Sequence, residues 1–276
     1  MLEYLLSLGI GSNGRITEEQ AAAATTVANS VNKEVTKFNE LKYFTNITTG
    51  KGGLYSYTTG TIRFTGWTSL EEVDISNFTS ISHTDVYEDS FSLCSSLSKV
   101  TASSNLTDIG TWAFRDCSSL TTISGLSGNI TLYGNENFKG CTNLTSDSFS
   151  NVTFSFDTYN RSAFKDCISL TQIAVNPNTL TIPQETFSGC SNLITINIDW
   201  SKLTNIGGYA FYNCNKLEYN IDLSKVTAIG NGAFMKCSKI TITKFPKATT
   251  YYNGCFADGV KVLANIVIPK EVQTFD

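Results

Sequence analysis

Apolar and polar residues alternate in short bursts along most of the chain. Leu193-Ile-Thr-Ile196-Asn-Ile198 and Leu170-x-x-Ile173-Ala-Val175 place apolar side chains at every second position, the period of a strand with one buried face. The bursts recur behind a common segment, Phe-x-x-Cys-x-x-Leu. It reads Phe91/Cys94/Leu97, Phe114/Cys117/Leu120, Phe138/Cys141/Leu144, Phe164/Cys167/Leu170, Phe187/Cys190/Leu193, Phe211/Cys214/Leu217 and Phe234/Cys237/Ile240. An earlier copy has Trp67 in the cysteine's place, between Phe64 and Leu70, and a degenerate later one has Phe256, Gly259 and Val262. Successive phenylalanines lie 27, 23, 24, 26, 23, 24, 23 and 22 residues apart. Upstream of Phe stand Leu106-Thr-Asp-Ile109-Gly110, Leu203-Thr-Asn-Ile206-Gly207 and Val226-Thr-Ala-Ile229-Gly230.

One unit of about 23 residues cannot bury its own Phe, Cys, Leu and Ile, but a stack of such units can, each position meeting its own kind. The spacing therefore predicts a mainly β solenoid of about nine coils, 22–27 residues each, over residues 64–276. Val272-Gln-Thr-Phe275 aligns with Val226-Thr-Ala-Ile229, so the chain is read as stopping in mid-repeat. Phe is expected to begin a tight inward turn, and Gly110, Gly207 and Gly230 to supply backbone conformations closed to other residues. The cysteines are expected to form a reduced ladder of small buried side chains; disulfides or metal ligation are the alternative.

The N-terminal part has another pattern. Thr17 to Leu41 reads as a helix, with Thr17 as N-cap, Glu18 and Glu19 in the first turn and Gln20 close to a capping box. Val27, Val31, Val35 and Phe38 would form one apolar stripe, which either caps the first coil or attaches the chain to a partner. Asparagines and β-branched residues make this helix weak alone. The segment 49–63 reads as a hairpin with its turn at Thr59-Gly60, so residues 1–48 and 49–63 are two distinct leading segments. Met1 to Ile10 carries Glu3 and no basic residue, unlike an ordinary secretory signal.

Composition narrows the function. Charged residues make up 16% of the 276, against about 25% in typical soluble domains, and Ser, Thr and Asn together about a third. A net charge of −4 argues against nucleic acid, which needs clustered Lys and Arg. No apolar run approaches the roughly 20 residues of a membrane span. The one histidine, His83, lies in a polar, loop-like stretch and is read as solvated. Glu18-Glu19 and Glu71-Glu72 are sequence neighbours rather than carboxylates set across a cleft. No metal, cofactor or catalytic set is expected, and the chain is read as non-enzymatic. Asn-x-Ser/Thr sequons at Asn46, Asn77, Asn105, Asn129, Asn143, Asn151 and Asn160 are read as repeat residues rather than glycan acceptors.

The pattern in Ile206-Gly-Gly-Tyr-Ala-Phe211-Tyr-Asn-Cys214 and Ile229-Gly-Asn-Gly-Ala-Phe234-Met-Lys-Cys237 resembles the BspA-type leucine-rich repeat. That family occurs in surface proteins of gut and oral Bacteroidetes and in phage tail proteins, where the repeats follow a short attachment segment. The resemblance implies a binding or structural protein: a tail-fibre-like virion component released by lysis or, alternatively, a bacterial surface adhesin. Its partners would be other virion or surface proteins through the N-terminal segment, and host-surface protein or carbohydrate through the solenoid; a homo-oligomer is compatible with both. The solenoid itself offers rows of side chains at fixed pitch. Trp112, Tyr159, Trp200, Tyr209, Tyr212, Tyr219, Tyr251 and Tyr252 are the candidate anchors, since aromatics are enriched at binding hot spots. Thr195 and Asn197, lying between buried positions, are expected to face outward.

Overall fold

The computed structural model describes residues 17–23, 37–38, 49–50, 64–81, 90–245, 250–251 and 254–262. At the N-terminal end, helix Glu18–Ala23 begins with a reciprocal capping box. The Gln20 N–H donates to Thr17 Oγ1 at 3.1 Å and the Thr17 N–H to Gln20 Oε1 at 3.0 Å, satisfying two donors that an uncapped helix leaves orphaned. The expected continuation to Leu41 does not hold at Phe38. Lys37–Phe38 is a strand, paired in parallel with Glu72–Val73 of the first coil. The edge of the first coil offers backbone partners that a lone helix lacks. Phe38 therefore does not belong to a helical stripe; Val27, Val31 and Val35 lie outside the described residues. Thr49–Gly50 likewise pairs in parallel, with Ser80–Ile81, rather than as the arm of an antiparallel hairpin. The rest of that expected hairpin, including Thr59-Gly60, lies outside the described residues.

From Phe64 onward the chain winds as a solenoid. Nine phenylalanines, Phe64 to Phe256, stack in one column with successive ring centroids 5.2–5.8 Å apart, marking eight full turns. All are buried. Full burial of each ring contributes about 1.5–3 kcal/mol, and only stacking achieves it. The turn around each Phe is fixed by the backbone. The Phe91 N–H donates to Ala113 O and the Leu93 N–H to Arg115 O, both 2.8 Å, and equivalent pairs link the other coils. The residue two after Phe is left-handed in all nine coils, φ +56° to +78°. Gly, Asp and Asn fill seven of these places, as their tolerance of that region predicts; Leu93 and Lys236 are held there by the inter-coil bonds. Trp67 closes the cysteine column at its first end, edge-on to Phe64 with centroids 4.8 Å apart.

Two parallel sheets flank this turn. The leucine sheet follows the ladder Leu in each coil, as in Thr122–Ser124 and Thr195–Asn197. The glycine sheet precedes the next Phe turn, as in Asp108–Ile109 and Asn205–Ile206. In-register pairs stack Ile182, Ile206 and Ile229 inside. Gly207 and Gly230 are not left-handed. A Cβ on Gly207 would run into the backbone of Gln184, and one on Gly230 into that of Gly208, so the glycines permit close approach of coils rather than an unusual φ.

Both sheets are interrupted. The glycine sheet runs from Thr49–Gly50 to the longer strands Gly128–Leu132 and Val152–Phe156, stops, and resumes at Thr181–Ile182. Two features coincide with the gap: the Asn176 N–H already takes Phe154 O at 2.9 Å, and a proline removes a donor. Where the strand ends, the N–H of Gly110, Tyr133, Asp157, Gly207 or Gly230 donates to the preceding coil at 2.6–3.1 Å. The equivalent residue in the resuming coil is Pro183, which has no N–H and cannot donate to Phe156 O. In the leucine sheet, a 3-10 turn at Ser146–Phe149 replaces one strand. Further on, Leu217 is followed by its buried Ile221 four residues later instead of three, and the following pair shows a register irregularity.

Candidate functional site

The structure sorts the candidate anchors into different roles. Thr195 and Asn197 face outward around buried Ile196, and register places Thr195 beside Gln172 and Asn197 beside Ala174. Tyr159 is 78% and Tyr209 40% exposed. Tyr209 is left-handed at φ +55° and packs edge-on to Tyr212, centroids 5.9 Å apart. Lys236 Nζ donates to the Tyr212 hydroxyl at 3.3 Å and lies 5.5 Å from its ring centroid. Trp112 is half-buried, with the Arg115 guanidinium 5.5 Å from its ring. Tyr251 lies on strand Thr250–Tyr251, in register with Ile229. Tyr252 and His83 lie outside the described residues.

Two candidates also make packing or inter-coil contacts. Trp200 is only 9% exposed and packs on Phe211 and Tyr219 at 5.5 and 5.7 Å. The 3-10 turn Trp200–Lys202, capped by Asp199 accepting from the Ser201 N–H, tucks the indole inward. Tyr219 is half-buried, and its hydroxyl donates to Ile196 O at 2.7 Å. It bonds to the neighbouring coil where the extra residue after Leu217 disrupts the strand ladder.

The thiols form the expected buried column, with one refinement. All eight cysteines are buried thiols. Seven donate from Sγ to the phenylalanine carbonyl of the preceding coil at 2.9–3.1 Å: Cys190 Sγ, for example, donates to Phe164 O and Cys167 Sγ to Phe138 O, both 3.0 Å. The eighth, Cys255, precedes Phe256 and takes the place held by Ala210 and Ala233 in earlier coils. Burial pushes Cys117, Cys141, Cys167, Cys190 and Cys214 upward, Cys237 to about 12 and Cys255 to about 11. A neutral thiol is a poor nucleophile and a poor metal ligand.

Along the Phe-turn ridge, charges pair within and between coils. Arg115 Nε lies 3.2 Å from Glu136 Oε2 and Lys139 Nζ 2.7 Å from Glu136 Oε1. Glu185 accepts from Lys165 Nζ at 2.7 Å and Ser162 Oγ at 3.0 Å. Burial alone would raise the Glu185 carboxyl, but these donors outweigh it and hold it below the usual range. Such pairs fix the ridge and present no unpaired carboxylate dyad. No cluster of three or more His, Cys, Asp or Glu among the described residues is placed to hold a metal ion.

The interruption at Pro183 opens a groove of about 710 Å³ between the end of Val152–Phe156 and the segment Leu180–Gln184. Asp157 stands on one wall, accepting at Oδ1 from the Gly134 N–H at 3.2 Å. Burial raises its carboxyl above the usual range, against the pull of the Gly134, Tyr159 and Asn160 N–H groups. Buried Asn160 donates from Nδ2 to Asn137 Oδ1 at 2.9 Å, while its Oδ1 has no partner among the described residues. Leu180 is 55% exposed, because one residue fewer separates it from Ile182 than separates Leu203 from Ile206. It pairs in the outward place of Thr204 instead of the inward place of Leu203. This groove was not anticipated from the sequence. Pro183 in the column of Gly110, Gly207 and Gly230, together with the shortened Leu180-Thr-Ile182, was the available signal.

Comparison with known proteins follows this geometry. The model of the BspA type leucine-rich repeat region matches residues 58–160 and 157–276. No curated protein matches the chain. Among solved structures, the Treponema pallidum leucine-rich repeat protein is 23% identical, covering 57% of this chain and 72% of that one, TM-score 0.45. A Bacteroides ovatus leucine-rich repeat protein is 22% identical, covering 77% and 60%, TM-score 0.48. A Faecalibacterium prausnitzii protein described as a leucine rich cell surface protein is 17% identical, covering 80% and 68%, TM-score 0.38. With the family model matching most of its length and the Phe, Cys and Leu columns in place, the chain belongs to the BspA-type leucine-rich repeat family.

Proposed function

We propose that the chain is a non-catalytic recognition protein, a tail-fibre-like component of a virion whose solenoid binds host-surface protein or carbohydrate. The observation that carries the binding reading is the register of outward rows. Thr195 and Asn197 stand beside their counterparts in the preceding coil, and exposed Tyr209 and half-buried Tyr212 stand on the neighbouring turn. A repetitive hydroxyl- and amide-rich surface with aromatic anchors suits a large, repetitive partner. The buried neutral thiols and coil-to-coil ion pairs support the non-catalytic part. The virion setting rests on the resemblance to phage tail proteins in which an attachment segment precedes such repeats.

The purified chain is expected to bind whole host cells, and Tyr212→Ala with Asn197→Ala to weaken that binding while stability changes by no more than about 0.5–1 kcal/mol per site. If surface substitutions on every face leave cell binding unchanged, the protein is a spacer or decoration. Mass spectrometry of purified virions tests the setting. Recovery from the bacterial surface fraction instead would make it an adhesin.

A further inference from the structure

We propose that the groove opened by Pro183 is a binding site for an uncharged oligosaccharide; this deepens, and rests on, the recognition reading above. The volume, about 710 Å³, falls within the range of ligand clefts, about 300–1,000 Å³. Its chemistry is selective. Asn176, Asn178, Gln184 and Asn205 bring side-chain amides to the walls, and Thr179 and Thr181 bring hydroxyls. Each of these groups both donates and accepts hydrogen bonds, as do sugar hydroxyls. The charged lining residues are one acid, Asp157, and one base, Arg161. The groove thus has no net charge to favour a phosphate, a nucleic acid or an acidic peptide.

An apolar surface completes the match. Leu180 lines the groove in a place that Thr204 and Thr227 occupy in later coils. A regular repeat puts threonine there, so the exposed leucine belongs to the groove and not to the fold. The walls are already ordered. Asn176 Nδ2 donates to Asn129 Oδ1 at 3.0 Å, and Asn176 Oδ1 accepts from the Asn178 N–H at 2.9 Å. A preformed site loses less freedom on binding.

The test uses the full chain against short neutral oligomers of glucose, mannose, galactose, xylose and N-acetylglucosamine, measured by calorimetry, with binding to whole host cells measured in parallel. At least one oligomer is expected to bind. Leu180→Ala and Asn178→Ala should each weaken it about tenfold, and Thr181→Trp, which fills the groove, should abolish it. Exposed Ser104→Ala should leave it unchanged. Thermal melts of each variant identify any that fail to fold, and Leu180→Ala and Asn178→Ala alter exposed side chains only. Absence of oligomer binding, or binding indifferent to all three groove variants, overturns the proposal. If cells are bound through the groove but protease treatment of the cells removes binding, the ligand is protein: the proposal fails and the recognition reading stands. If an oligomer binds in the groove but no cell is bound, the proposal stands and the recognition reading fails.

Discussion

The phenylalanine turn and the glycine sheet lie on the same coils but follow different rules. Around the turn one geometry repeats: a left-handed residue two after each of the nine Phe, a ring stacked on its neighbours and, from Phe64 to Phe234, an N–H of Phe bonded to the next coil. Across the glycine sheet, five strands are followed by a gap at Pro183 and then four more. The turn uses its N–H and C=O groups and two backbone torsions at fixed places, so it has no slack for an inserted or missing residue. The strands are two to five residues long and joined by connections of varying length. Length changes are absorbed there, and surface features that differ between coils collect on that side.

Substitutions at three positions probe this contrast, beginning with the largest effect. Phe164 stacks between Phe138 and Phe187 and meets Phe149 and Phe154 edge-on. Phe164→Ala should cost about 3–5 kcal/mol in urea denaturation. A loss below about 1 kcal/mol would show that the column is not what holds successive coils.

A smaller effect is expected in the cysteine column. Sequence reasoning alone makes Cys190→Ser the worse replacement, as a buried hydroxyl with no assured partner. The structure changes that expectation, because Phe164 O lies 3.0 Å from Sγ and can accept from serine as it does from the thiol. Cys190→Ser and Cys190→Ala should therefore each cost about 1–2 kcal/mol and differ by less than about 0.5 kcal/mol. A serine penalty well above that of alanine would mean the carbonyl is not available.

The smallest stability change belongs to the gap. Pro183→Ala gives up the proline's restriction of the unfolded chain, about 0.4–1 kcal/mol, and gains an N–H able to donate to Phe156 O, about 0.5–1.5 kcal/mol. The net change should stay within about 1 kcal/mol, so hydrogen exchange is the sharper measurement. The amide introduced at position 183 should be protected like that of Gly207, which donates to Ile182 O at 2.8 Å. Rapid exchange there would show that something other than the missing N–H keeps the two strands apart.

Reasoning from the sequence succeeded where many coils repeat the same requirement. The Phe, Cys and Leu columns were legible because each position recurs at a nearly constant interval and alternation marks which side is buried. The capping box at Thr17 and Gln20 was legible because it is local. Phe38 was misread, since its helical spacing competed with a strand partner, Val73, that lies 35 residues further on. The burial of Trp200 was not legible because an aromatic in a connecting segment looks the same whether a 3-10 turn sends it inward or outward.

The sequence by itself determined the repeat length, the buried columns and the neutral, hydroxyl-rich surface. These follow from composition and from a pattern that each coil states again. Tertiary structure alone decided how coils of unequal length meet. The register across Pro183 set the groove, and the register after Leu217 set the place of Tyr219. Hydrogen bonds between coils join residues more than twenty positions apart, so the effect of one proline or one extra residue depends on which backbone groups stand opposite it.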